Sequence, residues 1–279
     1  MSKKPLQFTV EQTRKRLERL LLLSRRIKNK FEYHPAGPEY TSLMVCFLLQ
    51  EISSVEALPH LANSFGDEWF PVNIGYMIAR SIFEIDVNAH YLTLEKTNRS
   101  HQYIEYIHIL RKNELEAIIK HKDTDRDGWR EYLQLWFKQD WENRTEKINQ
   151  KYNEVKTFFE EKSNRGRKRI AQNWSGKSIR QMAKEVDHEL EYDISYARLS
   201  SFVHANIKMA DRFLKADSSG PFWTLKSEDY EVGFVFDYSA TFFDCFLRLF
   251  GNEFKLWTEE DINACWKFDD EFNLQNKET

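Results

Sequence analysis

Arg198, Ser200, Ser201 and His204 stand close together in a stretch whose other members are mostly apolar. An imidazole at the edge of a core titrates near neutral pH and can move protons. An arginine can hold a phosphate or a developing oxyanion. With Val203 centred in a helical core stripe of Tyr196, Leu199, Ile207 and Ala210, the residues Ser200, His204 and Asp211 share one edge of that stripe. Arg198 points away from that edge. Ser200 and His204, at i,i+4, could be drawn as nucleophile and base. The surrounding sequence has no G-x-S-x-G and no strand–turn–helix elbow, which disfavours a serine hydrolase. The plainer alternative is a structural histidine bonded to a neighbour. No P-loop, dinucleotide fingerprint, H-E-x-x-H or kinase signature is present. Nucleoside triphosphate hydrolysis and dinucleotide redox chemistry are therefore disfavoured.

A second polar group lies earlier, on a helix expected over 71–94. Ile74, Ile78, Ile82, Ile85 and Leu92 form one apolar stripe, and Tyr76, Phe83 and Val87 form another. Between them run Asn73, Arg80, Ser81, Glu84, Asn88 and Tyr91. A helix apolar on two flanks packs on two sides, so this polar stripe faces a cleft or an internal hydrogen-bond network. Arg80 and Glu84 can pair at i,i+4. They are either a structural ion pair or one wall of an active-site pocket, with Asn88 beside them as a substrate contact.

Two basic regions could meet an anion. The first helix carries Arg14, Lys15, Arg16, Arg19, Arg25, Arg26, Lys28 and Lys30 on its outer face. The other region is Arg165, Arg167, Lys168 and Arg169. Each reads as a solvated charged surface; the alternative is an RNA or partner surface for the first and a phosphate-binding patch for RNA or DNA for the second. His101, His108 and His121 form no i,i+4 metal pair. The segment 123–128 has aspartates at alternate positions and a sixth-position glycine, but Gln134 stands where a calcium loop needs an acid. It reads as a polar turn. No metal and no cofactor is expected.

The elements that would position these groups are helices. Only 9 Gly and 6 Pro interrupt 279 residues, which leaves long segments with helical periodicity. Capping-box patterns at Thr9/Gln12, Ser178/Gln181 and Thr258/Asp261 mark three starts. The expectation is an all-α bundle of about eight to nine helices in a single domain, 1–279, with its core at 39–272. Pro59 is expected to kink or break the second helix. One long charged helix, 129–162, can project beyond the core and ends in the basic loop; together they span 129–170. The stretch bearing His204 belongs to a helix from about 189–195 to 215, with a chain break at 217–221, and an aromatic helix follows at 230–254. The net charge of -3 at pH 7 does not suggest wholesale nucleic-acid binding. The three scattered cysteines suit a reducing compartment. The apolar runs are short and no signal region opens the chain, so a cytoplasmic protein without membrane contact is expected.

Two groups of residues resemble a known family. Arg80-Ser81-Ile82-Phe83-Glu84 is similar to an R-S-x-x-E segment. Trp174-Ser175-Gly176-Lys177-Ser178, followed by Tyr196 and Ser200-Ser201-Phe202-Val203-His204, is similar to a W-S-G-K-S … Y-x-x-x-S-S-x-x-H segment. Together they resemble a largely uncharacterised family of bacterial all-helical proteins, over roughly 40–212. Arg198 through His204 also resembles the R-x(4–6)-H signature of HEPN domains, many of which are metal-independent ribonucleases of toxin–antitoxin and defence systems. That resemblance implies RNA as substrate, a homodimer, an antitoxin or defence-system partner, and a site shared by two protomers. Arg198 would stabilise the phosphorane charge and His204 would act as acid or base. Arg80 and Glu84 would line the cleft, and Ser200 and Ser201 would touch the substrate. HEPN domains usually have a polar residue after the arginine, whereas here Leu199 follows.

Overall fold

The computed structural model describes residues 9–29, 38–121, 141–162, 168–196, 198–200, 214–218, 220–258 and 260–261. The fold is all-α, a multi-helix bundle with two small antiparallel hairpins. The helices are α1 (Val10–Asn29), α2 (Glu39–Phe65), α3 (Val72–Thr93), α4 (Lys96–His121), α5 (Trp141–Val155), α6 (Ile179–Glu185), the short α7 (Glu189–Glu191) and α8 (Asp229–Glu253). A π-helical turn, Tyr192–Tyr196, continues directly from α7.

The described residues form two compact units. One combines the chain up to Leu94 with the chain from Ile179 onward, and the other is Glu95–Ser178. In the first unit, α3 packs against α2, α6 and α8, and α1 packs against α2 and α8. Phe83 sits at the centre of its aromatic core. Its ring meets Phe242 edge-on at 4.8 Å, with Tyr196 at 5.6 Å and Tyr238 at 6.1 Å. Close approach of α3 to α8 depends on Gly75, where an added Cβ would stand 2.7 Å from the Phe70 ring and 2.9 Å from Val235.

The helix starts read from the sequence are present. Thr9 and Gln12 exchange side-chain-to-backbone hydrogen bonds of 3.0 and 3.2 Å ahead of α1. Thr258 and Asp261 do the same at 3.2 and 3.1 Å. On α3, Ile82, Ile85, Leu92, Tyr76, Phe83 and Val87 are buried as expected; Ile74 is exposed, Ile78 is half-buried, and Tyr91, placed on the polar stripe, is buried.

Four expectations need correction. Helix α2 runs on past Pro59 to Phe65, so of the kink or break expected there the break is absent. By length and composition α2 is apolar enough to cross a membrane, contrary to the short-run reading, but it packs against α1, α3 and α8 and buries Glu51 completely. The charged helix stops at Val155. A 3-10 turn follows, and the rest joins a hairpin, β1 (Glu160–Lys162) with β2 (Lys168–Ile170). Buried Phe159 drives that change, packing against Tyr106 of α4 at 5.2 Å. Finally, the later helix does not reach 215. Leu214–Asp217 (β3) pairs with Gly220–Trp223 (β4) in a hairpin whose Gly220 has φ +115°, a conformation that glycine adopts without strain.

In the second unit, the W-S-G-K-S segment forms a tight loop rather than a reactive site. Trp174 is buried against Tyr103 at 5.1 Å, and the Ser175 hydroxyl bonds Asn173 and the Lys177 backbone. Gly176 takes φ +68°, and a side chain there would meet a Glu161 carboxylate oxygen at 3.0 Å.

Candidate functional site

Two polar clusters of the first unit are built on α3. The first joins segments far apart in the chain. Arg80 donates through Nε to Glu84 Oε1 at 2.8 Å, one turn along the helix. Tyr196, at the end of the π-helical turn, donates its hydroxyl to the same carboxylate oxygen at 2.5 Å. Arg80 Nη1 reaches Ser200 Oγ at 3.5 Å, and its guanidinium lies 5.0 Å over the Tyr196 ring. Asn88 donates to the Glu84 backbone carbonyl at 2.6 Å. Tyr196 is buried and the other members are half-buried.

The electrostatics of this cluster follow from that geometry. Burial alone would lower the Arg80 pKa, but the hydrogen bond and charge of Glu84 outweigh it and hold the guanidinium charged. Burial, followed by the bond to Glu84, raises the Tyr196 phenol above its ordinary range. Tyr196 is therefore a neutral donor at physiological pH. The arrangement holds one arginine beside one carboxylate, with a hydroxyl on either side, at a partly exposed edge. Such a group can receive an anion by exchanging the carboxylate for a phosphate on the guanidinium.

Arg198 is placed apart from this cluster. Its Nη2 donates to the Tyr76 hydroxyl at 2.9 Å, and the guanidinium lies over the rings of Phe234, Tyr76 and Tyr230 at 4.9, 5.5 and 5.8 Å. Burial raises the Tyr76 phenol to about 12 despite Arg198's opposing pull. Leu199, the apolar residue where HEPN domains have a polar one, is fully buried. His204, Ser201, Arg165 and Arg167 lie outside the described residues, as does the polar turn at 123–128. Lys168 and Arg169 belong to β2.

The second cluster was missed in the sequence. Asp86 of α3 is fully buried. His90, one turn on, places Nδ1 3.1 Å from Asp86 Oδ1 and 3.0 Å from the Asp86 carbonyl oxygen. His188, just before α7, places Nε2 3.1 Å from Asp86 Oδ2. The two imidazole rings meet edge-on at 5.2 Å. Burial would lower the His90 pKa, but its contacts with Asp86 prevail and raise it. Glu51 of α2, also fully buried, has its carboxyl raised well above the ordinary range, first by burial and then by the charge of Asp86. One ligand atom from each of Asp86, His90 and His188 can be chosen so that all lie within 4.8 Å of one another, a spacing that could hold a metal ion. The visible signal was D-x-x-x-H on α3, which places an acid and an imidazole on one helical face. Its third member cannot be inferred from spacing.

Comparison with known proteins gives a family but no precedent for activity. A model of a family of unknown function, DUF5677, matches residues 61–221, and the chain belongs to that family. The match takes in the R-S-x-x-E, W-S-G-K-S and Y-x-x-x-S-S-x-x-H segments. No curated protein and no solved structure matches the chain.

Proposed function

We propose that this protein is a HEPN-like effector of a bacterial defence or toxin system that cleaves or binds RNA in the cytoplasm. One observation carries the reading. The R-S-x-x-E and Y-x-x-x-S segments meet on a single carboxylate, so that Arg80, Glu84, Tyr196 and Ser200 form one partly exposed group. In this reading, Arg80 receives an RNA phosphate in exchange for Glu84. His204 moves the proton of the attacking or leaving oxygen, and Arg198 stabilises the phosphorane charge, contributed across a homodimer. Arg165, Arg167, Lys168 and Arg169 add sequence-independent hold on the backbone. Ser201 and Asn88 complete the substrate contacts. An antitoxin or another defence-system protein is the expected partner.

The test is expression of the full chain in a bacterial host, reading growth and RNA integrity for wild type, His204→Ala and Glu84→Gln. Growth arrest with RNA fragmentation in wild type, absent in His204→Ala and weakened in Glu84→Gln, supports the reading. Identical behaviour of wild type and a folded His204→Ala protein removes His204 from catalysis.

A second reading, a non-catalytic partner-binding module, is favoured by Arg198. Its guanidinium is already enclosed by Tyr76, Tyr230 and Phe234, as a structural arginine would be. In that case Arg198→Lys would lower stability without altering RNA.

A further inference from the structure

We infer that Asp86, His90 and His188 hold one divalent transition-metal ion of the zinc class, tying α3 to the connection between α6 and α7. This stands apart from the RNA reading, since it concerns different residues and a different ligand.

The inference starts from hydrogen bonds that are not made. Both Asp86 carboxylate oxygens are buried and lack a hydrogen-bond partner, and His188 Nε2 lacks one too. Yet each oxygen has an imidazole nitrogen at 3.1 Å, and His90 Nδ1 pairs instead with the Asp86 backbone carbonyl at 3.0 Å. The atoms are near enough to bond but not aligned to do so. Atoms that converge on a common point, rather than on one another, behave this way. Ligands about 2.1 Å from a tetrahedral zinc stand roughly 3.4 Å apart, and the three donor atoms here fall within 4.8 Å of one another. Proton sharing alone would leave the fully buried Asp86 oxygens without an aligned donor, and such groups are rare in native proteins.

The surroundings agree. Glu51 contributes a second fully buried carboxyl whose two oxygens also lack partners. The Tyr238 hydroxyl, buried and without a partner, feels the Asp86 charge. Buried carboxyl oxygens without partners, beside two imidazoles, give a cation both oxygen and nitrogen donors. Nitrogen donors select among cations: imidazole suits zinc, copper, iron and nickel, whereas calcium and magnesium call for oxygen. Three protein ligands leave a fourth position for water. Asp86 is fully buried, but the His90 and His188 side chains keep 24% and 16% exposure, so the ion enters on the imidazole side.

The position suggests what the ion does. His188 precedes α7, and α7 leads directly into the turn that ends at Tyr196. The ion fixes the root of the arm that carries Tyr196 to Glu84.

The full chain, purified and stripped with a chelator, is titrated with Co²⁺ alone while visible absorption and dialysis stoichiometry are followed. The expected result is one Co²⁺ per chain with a ligand-field band that Zn²⁺ abolishes. His188→Ala should lose that band while circular dichroism stays helical. His188→Cys should keep one Co²⁺ and gain a sulfur-to-cobalt charge-transfer band absent from wild type, which tests the same site if His188→Ala does not fold. No stoichiometric uptake by the folded wild type overturns the inference. So does uptake unchanged in both His188→Ala and Asp86→Asn, or a His188→Cys spectrum without the new band.

Discussion

The two polar clusters on α3 differ in how they are satisfied. Around Glu84, at the partly exposed edge, each of Arg80, Tyr196, Ser200 and Asn88 makes a hydrogen bond. Around Asp86, two residues further on, the carboxylate itself is fully buried while its two histidines stay partly exposed, and its oxygens have no aligned donor. An edge cluster can be completed by protein alone and opened by a competing anion. A buried one carries a larger penalty, because unmet polar groups at zero exposure cost far more than those that water can reach.

The largest expected effect removes the comparison altogether. Phe83 touches Tyr196 of the first cluster and Phe242, which in turn packs against His188 at 5.7 Å. Phe83→Ala should cost about 3–5 kcal/mol in chemical denaturation and weaken both clusters together. Loss confined to one of them would show that α3 does not couple them. Next, saturating zinc should separate the two. At a concentration a hundredfold above the dissociation constant it should stabilise wild type by about 2.7 kcal/mol in thermal unfolding. Glu84→Gln should gain equally and Asp86→Asn should gain nothing.

A third test uses protons. In chelator-treated protein, the folded-state pKa of Glu51 is raised, so the folded state holds a proton that the unfolded chain releases above the ordinary carboxylate range. Stability is then greatest below that range and falls as pH rises, at a limiting slope of about 1.4 kcal/mol per pH unit. Glu51→Gln should flatten the slope in denaturation curves recorded across pH. The smallest effect belongs to the edge cluster: Glu84→Gln should cost about 1 kcal/mol, since its ion pair with Arg80 is partly solvated. A loss several times larger would mean that the edge cluster is structural after all.

The same contrast explains what could be read from the chain. Apolar spacing on α3 marked Ile82, Phe83, Ile85 and Leu92 as core and left Arg80, Glu84 and Asn88 on a common stripe. Local bonds at Thr9/Gln12 and Thr258/Asp261 were equally visible, because a cap is written within four residues. Asp86 was hidden by the same spacing, since it lies between Ile82 and Ala89 on a face that reads as apolar, and His188 joins it only after the whole of Glu95–Ser178. The segment after 213 was misread because Leu214-Lys215-Ala216 has good helix formers, while pairing with Gly220–Trp223 decides its conformation. Burial of Phe159 against Tyr106 likewise ends the charged helix early, and no local signal announces that tertiary contact.

The chain order of the first unit has a consequence for synthesis on the ribosome. Helix α3 ends at Thr93, but α8, which covers its aromatic face, begins only at Asp229. At synthesis rates of about 5–20 residues per second, that interval lasts on the order of ten seconds. Throughout it, the face bearing Phe83 waits without its cover while Glu95–Ser178, a separate compact unit, emerges. A nascent chain in this state is a client for holding chaperones, and messages truncated before Asp229 should yield aggregates rather than a smaller folded protein.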